Sequence, residues 1–105
     1  MEGMELTCFE IISNVGTAKS CYIEAIHKAK EGQYEEAKKL IAQGNECYTQ
    51  GHKVHVEMIQ KEASGDSLEM GLLLVHAEDQ MMSAETFQVL ADEFIDLCKM
   101  IHNNK

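Results

Sequence analysis

Proline is absent from the 105-residue chain, so no position has its φ locked or its backbone donor removed, and helices can run long. Long apolar runs are absent too: no stretch approaches the ~20 residues that a membrane-spanning helix needs. The opening MEGMELTCFEII lacks the basic n-region and small-residue cleavage site of a secretory signal, which leaves the cytoplasm as the expected location. The four cysteines, Cys8, Cys21, Cys47 and Cys98, show no C-x-x-C spacing. Each falls in an apolar or mixed helical stretch and is expected to be a small buried hydrophobe rather than part of a disulfide or zinc framework. Basic side chains are scarce. With 9 Lys+Arg against 18 Asp+Glu the formal net charge is −9, which argues against nucleic acid or an anionic membrane surface and suits a basic protein partner better.

What remains is rich in Glu, Lys, Ala, Leu and Met, with seven glycines as the strong punctuation; such a composition reads as all-α. Gly32 in KEGQYEE and Gly65 in EASGDSLE stand where one helix would end before the next begins. Asp66, three residues ahead of Glu69, has the spacing of a capping box. The reading is one domain, 1–105, with helices over roughly 4–30, 33–62 and 67–102, packed side by side as an antiparallel three-helix bundle. Cys8, Ile12, Val15, Tyr22, Ile26 and Ala29 make the apolar stripe of the first helix. Tyr34, Ala37, Ile41, Gly44, Tyr48, Gly51, His55 and Met58 make that of the second. Gly44 and Gly51 lie a heptad apart, where they would let another helix approach closely.

The third helix has too much apolar surface for one small bundle. Leu72, His76, Asp79, Gln80, Ser83, Phe87, Leu90, Phe94, Leu97 and Ile101 share one stripe, and Met70, Leu74, Ala77, Met81, Ala84, Ala91, Ile95 and Cys98 share the arc beside it. Glu78, Glu85, Asp92, Asp96 and Asn103 form the polar remainder. Two partner helices cannot cover both arcs, so self-association is expected.

Within the run LLLVHAEDQMM, helical spacing gathers His76, Asp79, Gln80 and Ser83 on that apolar stripe. A core histidine bonded to its i+3 carboxylate is one reading; a functional site is the other. Neutral imidazole is a good nucleophile near pH 7, and phosphoryl transfer needs mainly positioning and charge stabilisation. No Walker-type glycine loop is present, so a phosphoryl group would have to come from another protein. A metal site using His76 and Asp79, or His52 and His55 of HKVH, is the competing functional reading, a weak one because each pair supplies only two ligands.

The segment VHAEDQMMSAE resembles the HxQDHLM region of the lactose/cellobiose-type IIA components of the bacterial sugar phosphotransferase system, a family that also serves N,N′-diacetylchitobiose. VGTAKSCYIEAIHKAKEGQYEEAKKLI is similar to that family's first-hairpin pattern, Gly-x-Ala-Arg/Lys-Ser followed by an Ala-rich helix, Gly, an aromatic and Ala; GHKVHVEMIQKEASGD resembles its second-to-third helix junction. The resemblance implies a cytosolic homotrimer in which His76 accepts a phosphoryl group from the general phosphocarrier protein and passes it to a cysteine of a IIB component. Through IIB it would serve the membrane IIC component in the uptake of a β-linked disaccharide. It implies one structural Mg2+ per trimer, shared by symmetry-related Asp79 carboxylates, whose mutual repulsion would otherwise be costly. Two positions depart from the pattern: Glu78 stands for the family's glutamine, expected to point into solvent, and Gln80 for its second histidine. Gln80 can still donate to a phosphate oxygen as a local support, but cannot titrate. The alternative from another class is a non-catalytic helical adaptor whose surplus stripe docks partner helices.

Overall fold

The computed structural model describes residues 3–65 and 71–103. Helices α1 (Gly3–Lys30), α2 (Tyr34–Ala63) and α3 (Leu72–Asn103) form a rod of 58 × 21 × 20 Å. None of them is long and apolar enough to cross a membrane.

Gly32 ends α1 as the spacing predicts. At φ +78° it occupies the left-handed region, and the turn closes with Gly32 N–H donating to the Ala29 carbonyl at 3.0 Å and Gln33 N–H to that of Lys28 at 2.9 Å. This pair of bonds is a Schellman motif, which satisfies carbonyls the helix end would leave open. Gly65, φ +106°, stands at the end of α2, its N–H donating to the Glu62 carbonyl at 3.1 Å. The Asp66/Glu69 cap and Met70 lie outside the described residues; α3 is entered at Leu72, with the Gly71 carbonyl accepting the Val75 N–H at 3.1 Å.

Cross-helix contacts give the directions. Gly44 faces Tyr22 and Gly51 faces Val15, so α1 and α2 are antiparallel. His55 bonds Glu78 and Asn45 bonds Gln88, so α2 and α3 are antiparallel as well. α1 packs extensively on both neighbours, while α2 and α3 meet along a narrower seam. Both helical glycines of α2 bring α1 in close: a Cβ at Gly44 would lie 2.7 Å from Tyr22 Cε1, and one at Gly51 2.8 Å from Val15 Cγ1.

The core runs the length of the rod in successive layers. Cys8, Ile11, Val15, Met58, Leu74, Ala77 and Met81 fill one end, Ala18, Tyr22 and Ala91 the middle, and Ala25, Ala29 and Ala37 the other end. In the middle layer the Tyr22 ring fills the space between Ala18 and Ala91, and the three alanines of the last layer are covered by Tyr34, Leu40, Ile41 and Ile95. Of the two apolar arcs on α3, the one carrying Leu74, Ala77, Met81, Ala84 and Ala91 is buried in this core. The other is open: Leu72, Leu90, Phe94, Leu97 and Ile101 are all exposed, Leu72 at 85%.

Candidate functional site

His76 sits in the second turn of α3 and is exposed, on the open arc rather than in the core. Among the described residues it lines, with Leu72 and Leu73, an open, apolar-walled groove of ≈ 520 Å3. The buried-core reading of this histidine is therefore set aside. Burial of its i+1 neighbour Ala77 and of Leu74 anchors the backbone of this turn and leaves the imidazole facing outward. An exposed imidazole can meet a protein-bound phosphoryl group without a closed cavity.

Asp79, three residues on, is also exposed. Among the described residues, no three His, Cys, Asp or Glu side chains gather as a metal cluster. Within this chain Asp79 offers a single carboxylate. His52 and His55, the other metal candidates, diverge: His52 stacks on Tyr48 with ring centroids 6.0 Å apart, whereas His55 Nε2 lies 2.7 Å from Glu78 Oε1.

That last contact corrects the expectation for Glu78. Position 78 is i+4 from buried Leu74 and i−3 from buried Met81, which places it on the seam with α2, where it meets His55 instead of facing open solvent. A helical wheel drawn for α3 alone shows which residues share an arc but not which edge of the buried arc α2 covers.

Gln80 is half-buried and turns toward α1. Lys19 Nζ donates to its side-chain carbonyl at 3.4 Å and also lies over the Phe87 ring, 5.2 Å from the centroid. The sequence reading assigns Lys19 no role. The signal that could have found it is its place in the Gly16-x-Ala18-Lys19-Ser20 pattern, one residue past buried Ala18 and so on the edge of the face that meets α3.

A second polar link lies further along the rod. Tyr22 Oη donates to Asn45 Oδ1 at 2.7 Å, and Gln88 Nε2 donates to both Asn45 Oδ1 at 2.9 Å and Tyr22 Oη at 3.2 Å. It joins all three helices. Burial pushes the Tyr22 hydroxyl up to about 12, against a smaller lowering by the Gln88 bond.

His76, a neighbouring carboxylate and an amide thus share one face of a helical bundle, with the histidine and carboxylate exposed, an arrangement compatible with a carrier of small transferable groups. Comparison with known proteins makes this specific. Residues 6–99 match the family described as the lactose/cellobiose-specific IIA subunit of the phosphotransferase system (PTS). The lichenan-specific phosphotransferase enzyme IIA component of Bacillus subtilis is 42% identical over 100 residues, covering 95% of this chain and 91% of its own. The oligo-beta-mannoside-specific EIIA component of the same organism is 39% identical over 106 residues, covering 94% and 96%. The crystal structure of the cellobiose-specific enzyme IIA from Bacillus anthracis superposes with a TM-score of 0.97 at 38% identity, covering all of this chain and 96% of that one. The chain belongs to the lactose/cellobiose-specific IIA family of the PTS.

Proposed function

We propose that the protein is a phosphocarrier that takes a phosphoryl group on His76 from the general phosphocarrier protein and hands it to a cysteine of a IIB component, during uptake of a β-linked disaccharide through a IIC membrane component. The observation that carries this reading is the exposure of His76 beside an open groove, in a chain of this family. In the first step a ring nitrogen of His76 attacks phosphorus, a new N–P bond forms, and the donor's N–P bond breaks, returning the electron pair to the donor histidine. In the second a cysteine thiolate attacks, an S–P bond forms, and His76 leaves as neutral imidazole. No proton need move at His76 in either step, and the open setting lets the group depart as easily as it arrives. Gln80 would support the phosphoryl group from one turn away.

The same reading makes the working form a homotrimer, with the open arc of α3 turned into the seam and His76 kept at its edge, where a partner protein can reach it. Its exposed Leu72, Leu90, Phe94, Leu97 and Ile101 support this, because such a row is costly to leave in water. Asp79 lies on that arc. Its hard oxygen donors suit Mg2+, but an ion of that kind takes about six oxygen ligands, so one protomer's carboxylate would hold it only together with those of its mates. The ion would neutralise the converged carboxylates when bound, and would be structural.

A reconstituted relay tests the function. With phosphoenolpyruvate, the general enzyme, the phosphocarrier and a partner IIB protein, label should reach the IIB cysteine only when this protein is added, and His76→Ala should block it. Label reaching IIB equally well without this chain would overturn the proposal.

A further inference from the structure

Lys19 is a cation without a counter-charge among the described residues. Among the described residues no carboxylate lies within 4.0 Å of its ammonium, although the chain has 18 Asp+Glu for 9 Lys+Arg. It is half-buried on α1 and reaches across to α3, where it meets the neutral oxygen of Gln80 and the face of Phe87. An ammonium has three donors, and the contact with Gln80 occupies one. Gln80 is i+4 from His76, which sets their Cβ atoms about 6 Å apart on one face. The lysine is thus tethered one turn from the proposed phosphoryl acceptor, with donors to spare.

We infer that Lys19 binds the phosphoryl oxygens while the group rests on His76, with Gln80 as the tether that aims it; this rests on the phosphocarrier reading above. The phosphoryl group brings up to two negative charges to an already acidic protein, and repulsion from its carboxylates would disfavour loading. A nearby ammonium offsets that repulsion and stabilises the charge on the equatorial oxygens as phosphorus passes between nitrogens. Lys19 makes and breaks no covalent bond. The amide at position 80 suits this task, since it is neutral at every pH and accepts from the ammonium, whereas an imidazole there would repel it once protonated.

The test compares wild type with Lys19→Met, which keeps the aliphatic stem on Phe87, Lys19→Gln as a second neutral variant, and Lys19→Arg, which keeps the charge. Helicity by circular dichroism identifies a variant that folds. Two quantities are read: the rate of phosphorylation by the donor phosphocarrier, and the midpoint of the 31P chemical-shift titration of the isolated phosphoprotein, which involves no partner. A cation beside the group favours the dianion, so its removal should raise the midpoint. The expected result is loading at least tenfold slower and a raised midpoint in the neutral variants, with Lys19→Arg close to wild type. Neutral variants that match wild type in both would overturn the role of Lys19 and leave the carrier reading standing. Slower loading with an unchanged midpoint would also overturn it, assigning Lys19 to donor docking. No phosphorylation of wild type by an active cascade would overturn the carrier reading, and this inference with it.

Discussion

The imidazole of His55 on α2 and the carboxylate of Glu78 on α3 meet at 2.7 Å, with the histidine largely covered and the carboxylate partly open to solvent. The contact crosses the narrow α2–α3 seam two residues along from His76. Glu78→Gln retains a hydrogen-bonding partner for the ring and should change stability by less than about 0.5 kcal/mol, whereas Glu78→Leu leaves a mostly buried imidazole nitrogen unpaired and should cost about 1–2 kcal/mol. Urea unfolding of the two variants checks the difference. Equal losses would show that the contact contributes nothing specific.

Close helix approach at α2 should make added volume harmful. Alanine at Gly44 gains about 1 kcal/mol in helix propensity, but its Cβ would lie 2.7 Å from a Tyr22 ring whose hydroxyl is anchored to Asn45 and Gln88. Overpacking of this kind costs about 1–3 kcal/mol, so Gly44→Ala should be net destabilising, as should Gly51→Ala against Val15. A raised thermal midpoint in either variant would contradict the close packing.

Alkaline pH should loosen the fold through Tyr22. An ordinary tyrosine ionises near 10.0, and burial pushes Tyr22 up to about 12. Between those values the unfolded chain has released a proton that the folded chain still holds, so stability falls as pH rises through that window and is fully present below it. In Tyr22→Phe this decline should flatten. Ultraviolet absorbance should also show Tyr22 ionising last, since its hydroxyl is enclosed.

Thiol reactivity should divide the cysteines into two pairs. Cys8 and Cys21 are buried, and desolvation pushes both thiols up, reinforced at Cys8 by the charge of Glu78 and at Cys21 by Cys47. Cys47 and Cys98 are only half-buried. A thiolate-seeking reagent at pH 8 should label the second pair first and reach the first pair only on unfolding. Mass mapping of the modified peptides decides it.

Self-association through α3 should depend on Asp79. If its carboxylates share a cation at a threefold axis, Asp79→Lys removes the ligands and replaces them with mutually repelling ammonium groups. Native mass or sedimentation should then find wild type as a trimer and the variant as protomers. A chelator should lower the thermal midpoint of wild type. A trimeric Asp79→Lys would contradict the central place given to this residue.

Much of the architecture is legible from spacing. Gly32 and Gly65 mark the helix ends because left-handed backbone favours glycine, and the α2 stripe from Tyr34 to Met58 matches the face that packs, including both close-approach glycines. The two apolar arcs of α3 are likewise legible, since period alone groups Leu74 with Met81 and Leu72 with Phe94, but which arc α1 and α2 bury is not. Contacts between helices are not. The links from Lys19 to Gln80, His55 to Glu78, and Tyr22 to Asn45 and Gln88 join residues 23 to 66 positions apart, and they depend on the rotation of each helix about its axis, which a wheel drawn for one helix leaves free. His76 is legible as a candidate from its chemistry and motif; its exposure is decided only when α1 and α2 cover the adjacent arc.

The carrier reading is tested most directly by intact mass after incubation with phosphoenolpyruvate, the general phosphotransferase enzyme and its phosphocarrier. Wild type should gain the mass of a single phosphoryl group that is lost in acid, and His76→Ala should gain none. An adduct that persists in His76→Ala, or none on wild type from a cascade proven active, would contradict it; the second result would turn attention to the open α3 arc as an adaptor surface.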